Sequence, residues 1–429
     1  MIRVACAVAA AALPLAVAPT VEAPAARPPA PLPAHFKVLA HVNPGGGYSA
    51  DVFAHDGYAY LSSRKGQTSC PALGVRVYDL RVPSTPRHVS TFAAAATDPE
   101  FAGTSAEKTI VARIDTPAFS GVVAATGLQA CEPGDPQGFA LFDVTDPAAP
   151  RKLAFVHTKP LGAHELWLQG ARGGAWVYIA VKGSEASGTA STPGPPDFRI
   201  FDASNPTRPR EVGGWGAWRD LGIRPVQGKI FLGHSVITDA DATRAYVSYW
   251  DLGTIILDVS DPAHPRYLGR TTGLAHQGSA HSAALAAGGK LLIETHETSW
   301  GRATFFDVSS PSHPRRLGEL RLPRSVAAAG ARAPRPSFVF ADSVHDPKVA
   351  GRIVFFSWYR QGVVAADFRN PSRPRVIARF LPRPVRDPED LLCPGQACRA
   401  VWGVYATPKY VLASDLAGGL WVLKLKLRR

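Results

Sequence analysis

An apolar run that ends in Asp and leads through Pro-x-x-Pro-Arg into a second apolar run returns along almost the whole chain. Its clearest copy is Ile255-Ile256-Leu257-Asp258-Val259-Ser260-Asp261-Pro262-Ala263-His264-Pro265-Arg266-Tyr267-Leu268-Gly269. The other copies are centred on Asp79, Asp143, Asp202, Asp307 and Asp367. Proline has no N–H to give a ladder, so each Asp–Pro segment ends a strand, and the stiff Pro-x-x-Pro corner starts a return strand. The repeated Asp reads as a turn cap through its carboxylate. Six catalytic carboxylates could not serve one site. The Asp residues lie 64, 59, 56, 49 and 60 positions apart. Strand-only patterning at that period predicts one four-stranded blade per repeat and an all-β propeller.

Tyr410–Asp415 and Gly419–Lys424 form a further, cryptic copy that lacks its outer strand. The stretch Pro31–Ala40 reads like the missing half, and pairing the two would close a seven-bladed ring without an open edge. Met1 to about Ala25 reads as a signal peptide, with Arg3 ahead of an Ala/Val/Leu-rich run. It is too short and too interrupted by proline for a membrane span, and the rival reading is an uncleaved anchor. Residues 26–34 form a Pro/Ala linker, and residues 35–429 are expected to form one domain, secreted or associated with the cell surface. In an exported chain, Cys70 and Cys131 occupy equivalent loops of neighbouring repeats and are expected to pair. Cys393 and Cys398 would close a small local loop. A zinc site at Cys393-x4-Cys398 is the weaker alternative, for want of a nearby His.

The net charge of +13 does not by itself indicate nucleic acid. Arg87, Arg151, Arg210, Arg266, Arg315 and Arg375 hold one repeat position, which spreads the excess around the ring, and no nucleic-acid-binding motif is present. An anionic cell-wall or membrane surface suits that charge better. The expected partner is a protein, a cell-wall component or a small molecule, met by a single chain without a transmembrane span after signal removal.

Four successive repeats place a histidine at the start of their first strand: His164, His234, His281 and His345. Inner strands of a propeller line its central channel, so four imidazoles would face one axial space. Histidine ligates zinc, copper and iron, and Glu165, Asp346 and Glu297 could add carboxylates. The alternative is structural histidines that hydrogen-bond a neighbouring blade. The hairpins after the second strands carry Trp250-Asp251, His296-Glu297 and Trp358, and Trp402 lies at a strand start. The hairpin residues suit a binding surface, expected on the face opposite the histidines; the rival reading is ordinary turn chemistry with aromatics packed on neighbouring blades. No nucleophile elbow, His-Glu-x-x-His, P-loop or dinucleotide fingerprint is present.

The Asp-Val-Ser-Asp-Pro-x-x-Pro core, the His-bearing strand starts, Trp402-Gly403-Val404-Tyr405 and Gly419-Leu420-Trp421-Val422-Leu423 together resemble the LVIVD-repeat family. The resemblance covers essentially all of the chain after the signal. It implies a secreted or surface-attached β-propeller and supplies no catalytic residues. More distantly, the chain is similar in fold to the selenium-binding/methanethiol oxidase propellers, whose activity is metal-linked through histidines. Two functions follow as expectations. One is an exported binding scaffold. The other is a metal-dependent enzyme, oxidoreductase-like, with zinc, copper or iron at an axial histidine site.

Overall fold

The computed structural model describes residues 32–271, 279–297, 301–322, 342–387, 389–391 and 395–428. The chain divides into two units, Met1–Pro31 and Leu32–Arg429. The first unit, which holds the expected signal peptide and most of the linker, lies outside the described residues, as does Cys393.

The described chain is all-β, built from antiparallel four-stranded units, each a meander of consecutive strands. Sheet A comprises Tyr48–His55, Tyr58–Arg64, Val75–Asp79 and Arg87–Phe92. Sheet B comprises Thr104–Thr116, Phe119–Ala130, Gly138–Asp143 and Arg151–His157. Ser63 pairs with Ala106, which ties A and B into one eight-stranded sheet. Sheet C holds Glu165–Ala171, Gly174–Ala180, Phe198–Asp202 and Arg210–Trp215, and sheet D holds Ser235–Thr238, Arg244–Ser248, Thr254–Asp258 and Arg266–Arg270. Sheet E holds Ala280–Ala286, Leu291–His296, Arg302–Asp307 and Arg315–Arg321, and sheet F holds Pro347–Ala350, Ile353–Ser357, Val363–Asp367 and Arg375–Phe380. Sheet G takes Val401–Ala406, Val411–Asp415 and Gly419–Leu427 from the end of the chain. Its fourth strand is Ala34–Val42, antiparallel to Gly419–Leu427 with Phe36 opposite Leu425.

Each recurring Asp ends the third strand of its sheet and caps the following turn. Its carboxylate accepts the backbone N–H two residues on, at 2.9 Å for Arg81, Ser204 and Arg369 and 3.0 Å for Thr145, Ser260 and Ser309. In five sheets the Arg of Pro-Arg reaches back to the same carboxylate: Arg87, Arg151, Arg210, Arg266 and Arg315. In sheet F, Arg369 takes that place and not Arg375. These pairs are exposed, worth little individually. The cap itself is local, which is why it can be read from sequence.

Apolar faces pack between successive sheets. Phe139 of B meets Phe201 of C at 4.9 Å between ring centroids, and Phe305 of E meets Phe368 after F at 6.3 Å. The outer strands interlock through glycine. A Cβ on Gly213, Gly269 or Gly318 would lie 2.1, 2.2 or 2.5 Å from the carbonyl oxygen of Pro262, Pro311 or Pro371, the corner proline of the next sheet. Cys70 and Cys131 form a disulfide between the loops of A and B, as expected from their equivalent positions. Cys398 is also disulfide-bonded. No helix among the described residues is long and apolar enough to cross a membrane.

The Gly269–Pro311 approach leaves no space for a methyl group. Gly269→Ala should therefore lower stability by about 1–3 kcal/mol. In urea the unfolding midpoint should fall with an unchanged slope; an unaltered midpoint would show that the sheets can separate at this corner without cost.

Candidate metal centre

The first strands of successive sheets lie side by side: Tyr48–His55 against Thr104–Thr116, then in turn Glu165–Ala171, Ser235–Thr238, Ala280–Ala286, Pro347–Ala350 and Val401–Ala406, the last against Tyr48–His55 again. All begin at the same end, so residues at their starts converge. His164 and His234 immediately precede the first strands of C and D, His281 is the second residue of sheet E, and His345 stands two residues before sheet F. All four are buried. Their rings follow one another with centroids 4.3, 4.0 and 4.3 Å apart.

Burial holds every one of these imidazoles below its ordinary value: His164 at about 4, His281 at about 3, His234 and His345 well below. At neutral pH they are uncharged, each with a lone pair, the form a metal ion takes. Two are oriented by a second partner. His281 Nδ1–H donates to the His345 carbonyl at 3.0 Å, which leaves Nε2 free and 3.6 Å from Glu297 Oε2. His164 Nδ1–H donates to Gln129 Oε1 at 3.1 Å, and Gln129 Nε2 donates to Glu107 Oε2 at 2.9 Å. The His164 and His234 Nε2 atoms are 2.9 Å apart. Nδ1 of His234 and Nδ1 of His345 are buried and have no hydrogen-bond partner among the described residues.

His234, His281 and Glu297 each offer a ligand atom within 4.8 Å of the others. Ligands on a common ion at ~2.0–2.1 Å in a tetrahedral arrangement stand ~3.3–3.4 Å apart. The His281–Glu297 separation of 3.6 Å and the His164–His234 separation of 2.9 Å bracket that value. Tyr359 donates its hydroxyl to Glu297 Oε1, a contact that orients the carboxylate. The donor set and the orphaned imidazole nitrogens both fit a transition-metal ion.

The hairpin residues are not on the opposite face. In an antiparallel pair the end of the second strand stands beside the start of the first, as Ala280 pairs with His296 and Ser235 with Ser248. Glu297 and Trp250 therefore join the histidines, with the Trp250 ring 5.1 Å from His234, and Trp402 lies 4.4 Å from His345. Alternation along the chain sends His296 the other way, to Glu294 Oε1 at 3.1 Å. Trp358 packs into the apolar layer between E and F, 5.8 Å from Phe356. Asp251 accepts from the Ile230 amide at 2.8 Å, away from the cavity. Glu165 and Asp346, each one residue past a histidine, turn to Lys108 at 3.5 and 3.3 Å, where Asp51 completes the cluster at 2.8 Å. Burial pushes Glu165 up to about 8, while Lys108 and Lys348 hold Asp346 below the usual carboxylate range in spite of burial.

A cavity of about 360 Å³ opens over the histidines and Glu297. Its remaining wall includes Arg64, Lys182, Glu107 and Trp402. Sequence reasoning missed Arg64, Lys182, Glu107, Gln129 and Tyr359. A signal did exist for three of them: Arg64, Lys182 and Tyr359 stand at or just past the ends of second strands, as Trp250 and Glu297 do.

These features define a class: an all-β chain of repeated four-stranded antiparallel sheets whose inner strand starts converge on a histidine-lined cavity. Residues 245–272 match the family model of the LVIVD repeat, a stretch that holds the second to fourth strands of sheet D. Among solved structures, Raptor from Chaetomium thermophilum is similar with a TM-score of 0.56 at 10% identity, over 92% of this chain and 30% of that one. The present chain thus spans less than a third of that neighbour, and the likeness concerns fold alone. The computationally designed Ika8 protein aligns with a TM-score of 0.49 at 9% identity, over 90% of this chain and 98% of that one. No curated protein matches the chain.

The loop leading to His234 is held by a buried network. The Gly233 amide donates to Asp197 Oδ2 at 3.1 Å, and the Tyr249 hydroxyl lies 2.9 Å from that oxygen and 2.8 Å from Glu185 Oε2. One hydroxyl proton cannot satisfy both carboxylates, and burial, with Glu185 nearby, raises Asp197 to about 7. A carboxyl raised on folding binds its proton in the native state first, so its contribution is full below pH ~4 and is lost as pH rises through ~7. Asp197→Asn should flatten the decline in stability between those limits. Thermal melts at pH 5 and pH 8 check this; a variant with the wild-type slope would remove Asp197 as the source.

Proposed function

We propose that this protein is an exported seven-bladed β-propeller that holds one transition-metal ion at the mouth of its axial channel. His234, His281 and Glu297 would bind the ion, with His164 and His345 beside them. The observation that carries the reading is the convergence of those three buried ligand atoms within 4.8 Å, from sheets D and E. The closed ring is supported by the side-by-side first strands, which run from A to G and back to A, and by Ala34–Val42 supplying the fourth strand of G. Export is supported by the Arg3-led apolar N-terminus and the Cys70–Cys131 disulfide.

Two imidazoles and a carboxylate suit zinc, iron or copper and leave coordination positions open toward the cavity. Such an ion supplies Lewis acidity, or electron transfer if it is iron or copper. The chain's own groups hold it and shape its surroundings. The His345 carbonyl sets the His281 tautomer, Gln129 that of His164, and Tyr359 fixes the carboxylate. A cavity with these convergent groups favours a small-molecule site over a purely protein-binding scaffold.

Untagged protein should carry about one equivalent of metal per chain, read by elemental mass spectrometry, and His234→Ala/His281→Ala should lose it. Tyr359→Phe removes only the hydroxyl that orients Glu297 and should weaken metal affinity by about 10–100-fold in competition with a chelating dye. Wild-type protein that takes up no zinc, copper or iron near neutral pH would overturn the reading.

A further inference from the structure

The cavity holds a cation that no carboxylate claims. The side chain of Arg64, at the end of the second strand of sheet A, makes no hydrogen bond or ion pair among the described residues, and its Nε is buried and unpartnered. Its guanidinium lies over the Trp402 ring, with Cζ 4.4 Å from the centroid. Stacking fixes the plane of the fork and leaves its N–H edge available. The two carboxylates of the same wall hydrogen-bond elsewhere: Glu107 accepts from Gln129, and Glu297 from Tyr359. Across the cavity Lys182 Nζ lies 5.6 Å from the Trp250 ring. Lys65, the third cation there, is spent on the Cys131 carbonyl at 2.6 Å.

We propose that Arg64 and Lys182 form an anion subsite for a small monocarboxylate with a flat apolar body, its carboxylate on the Arg64 fork and its body along the histidine row. This rests on the reading of the cavity as a ligand site. An unpaired, stacked guanidinium in a partly buried wall is built for bidentate recognition of a planar oxyanion. Glu107 and Glu297 in the same wall set an upper limit on charge, because a second negative charge on the ligand would face both. That separates a carboxylate from inorganic phosphate. The neutral imidazole rings of the row, with centroids 4.0–4.3 Å apart, supply the flat contact for the body.

The test is calorimetric titration of the full-length protein, metal-stripped and zinc-loaded, with benzoate, benzamide and inorganic phosphate. Benzoate should bind saturably and benzamide and phosphate at least about tenfold more weakly. Arg64→Gln should weaken benzoate by about tenfold or more while zinc stoichiometry stays at the wild-type level; Arg64→Lys, which keeps the charge and loses the fork, should fall between. Arg64→Lys also serves if Arg64→Gln fails to fold. Equal binding of benzoate and benzamide, or undiminished benzoate binding in both variants, would overturn the proposal. Arg64-dependent benzoate binding to protein that takes up no metal would uphold the subsite and overturn only the metal centre.

Discussion

Lys108 Nζ lies 2.8 Å from Asp51, 3.3 Å from Asp346 and 3.5 Å from Glu165, and these four residues belong to sheets B, A and C and the strand entry of F. Apolar packing joins each sheet to its immediate neighbours. The ammonium group ties A, B and C to F as well. Burying charge here costs several kcal/mol per ion, which mutual pairing and a proton held on Glu165 offset. The cluster therefore demands a close and particular approach of the inner strand starts. Glu165 and Asp346 directly follow His164 and His345, so the same approach places the histidines.

The histidine row depends on that geometry in a second way. Imidazoles with centroids 4.0–4.3 Å apart could not all carry charge. Desolvation settles the matter toward the neutral form, the form that can ligate a metal ion. Protonated imidazoles in water would give a repelling cluster, whereas buried ones give lone pairs whose directions are set by the His345 carbonyl and Gln129. Glu297 differs, because burial raises it to about 7 and leaves its proton exchangeable with a cation. A divalent ion would replace that proton and satisfy the orphaned nitrogens of His234 and His345.

Features decided locally were legible in the chain. Each recurring Asp caps its own turn within two residues, so its role could be read without knowing the neighbours. The Cys70–Cys131 pairing followed from equivalent positions in adjacent repeats, and the four histidines from their shared register at strand starts. What failed was the relation between strands. Sequence alone puts the hairpin residues on the face opposite the histidines. Antiparallel pairing reverses that inference and brings Trp250 and Glu297 to the histidines. Side-chain alternation was also missed: it turns His296 to Glu294 and leaves adjacent Glu297 in the cavity. Arg64 reads as an ordinary surface residue in sequence, and only Trp402, from the far end of the chain, reveals what it faces.

The repeat itself explains how an asymmetric site arises from a near-symmetric frame. At the outer corners the sheets repeat one another: an Asp cap, a proline corner, an arginine and, in C, D and E, a glycine against the next sheet's proline. Those residues set sheet-to-sheet spacing and must be alike for the sheets to stack at regular intervals. At the inner ends the second strands of A, C, D, E and F finish on or just before Arg64, Lys182, Trp250, Glu297 and Tyr359 in turn. One backbone position thus supplies two cations and a carboxylate to a single cavity, and an indole and a phenol packed against His234 and Glu297. Arg64, Lys182 and Glu297 line the cavity, so intersheet packing constrains the choice of residue there less than at the outer corners. Constraint at the rim and freedom at the hub together let a repeated strand pattern carry a single chemical site.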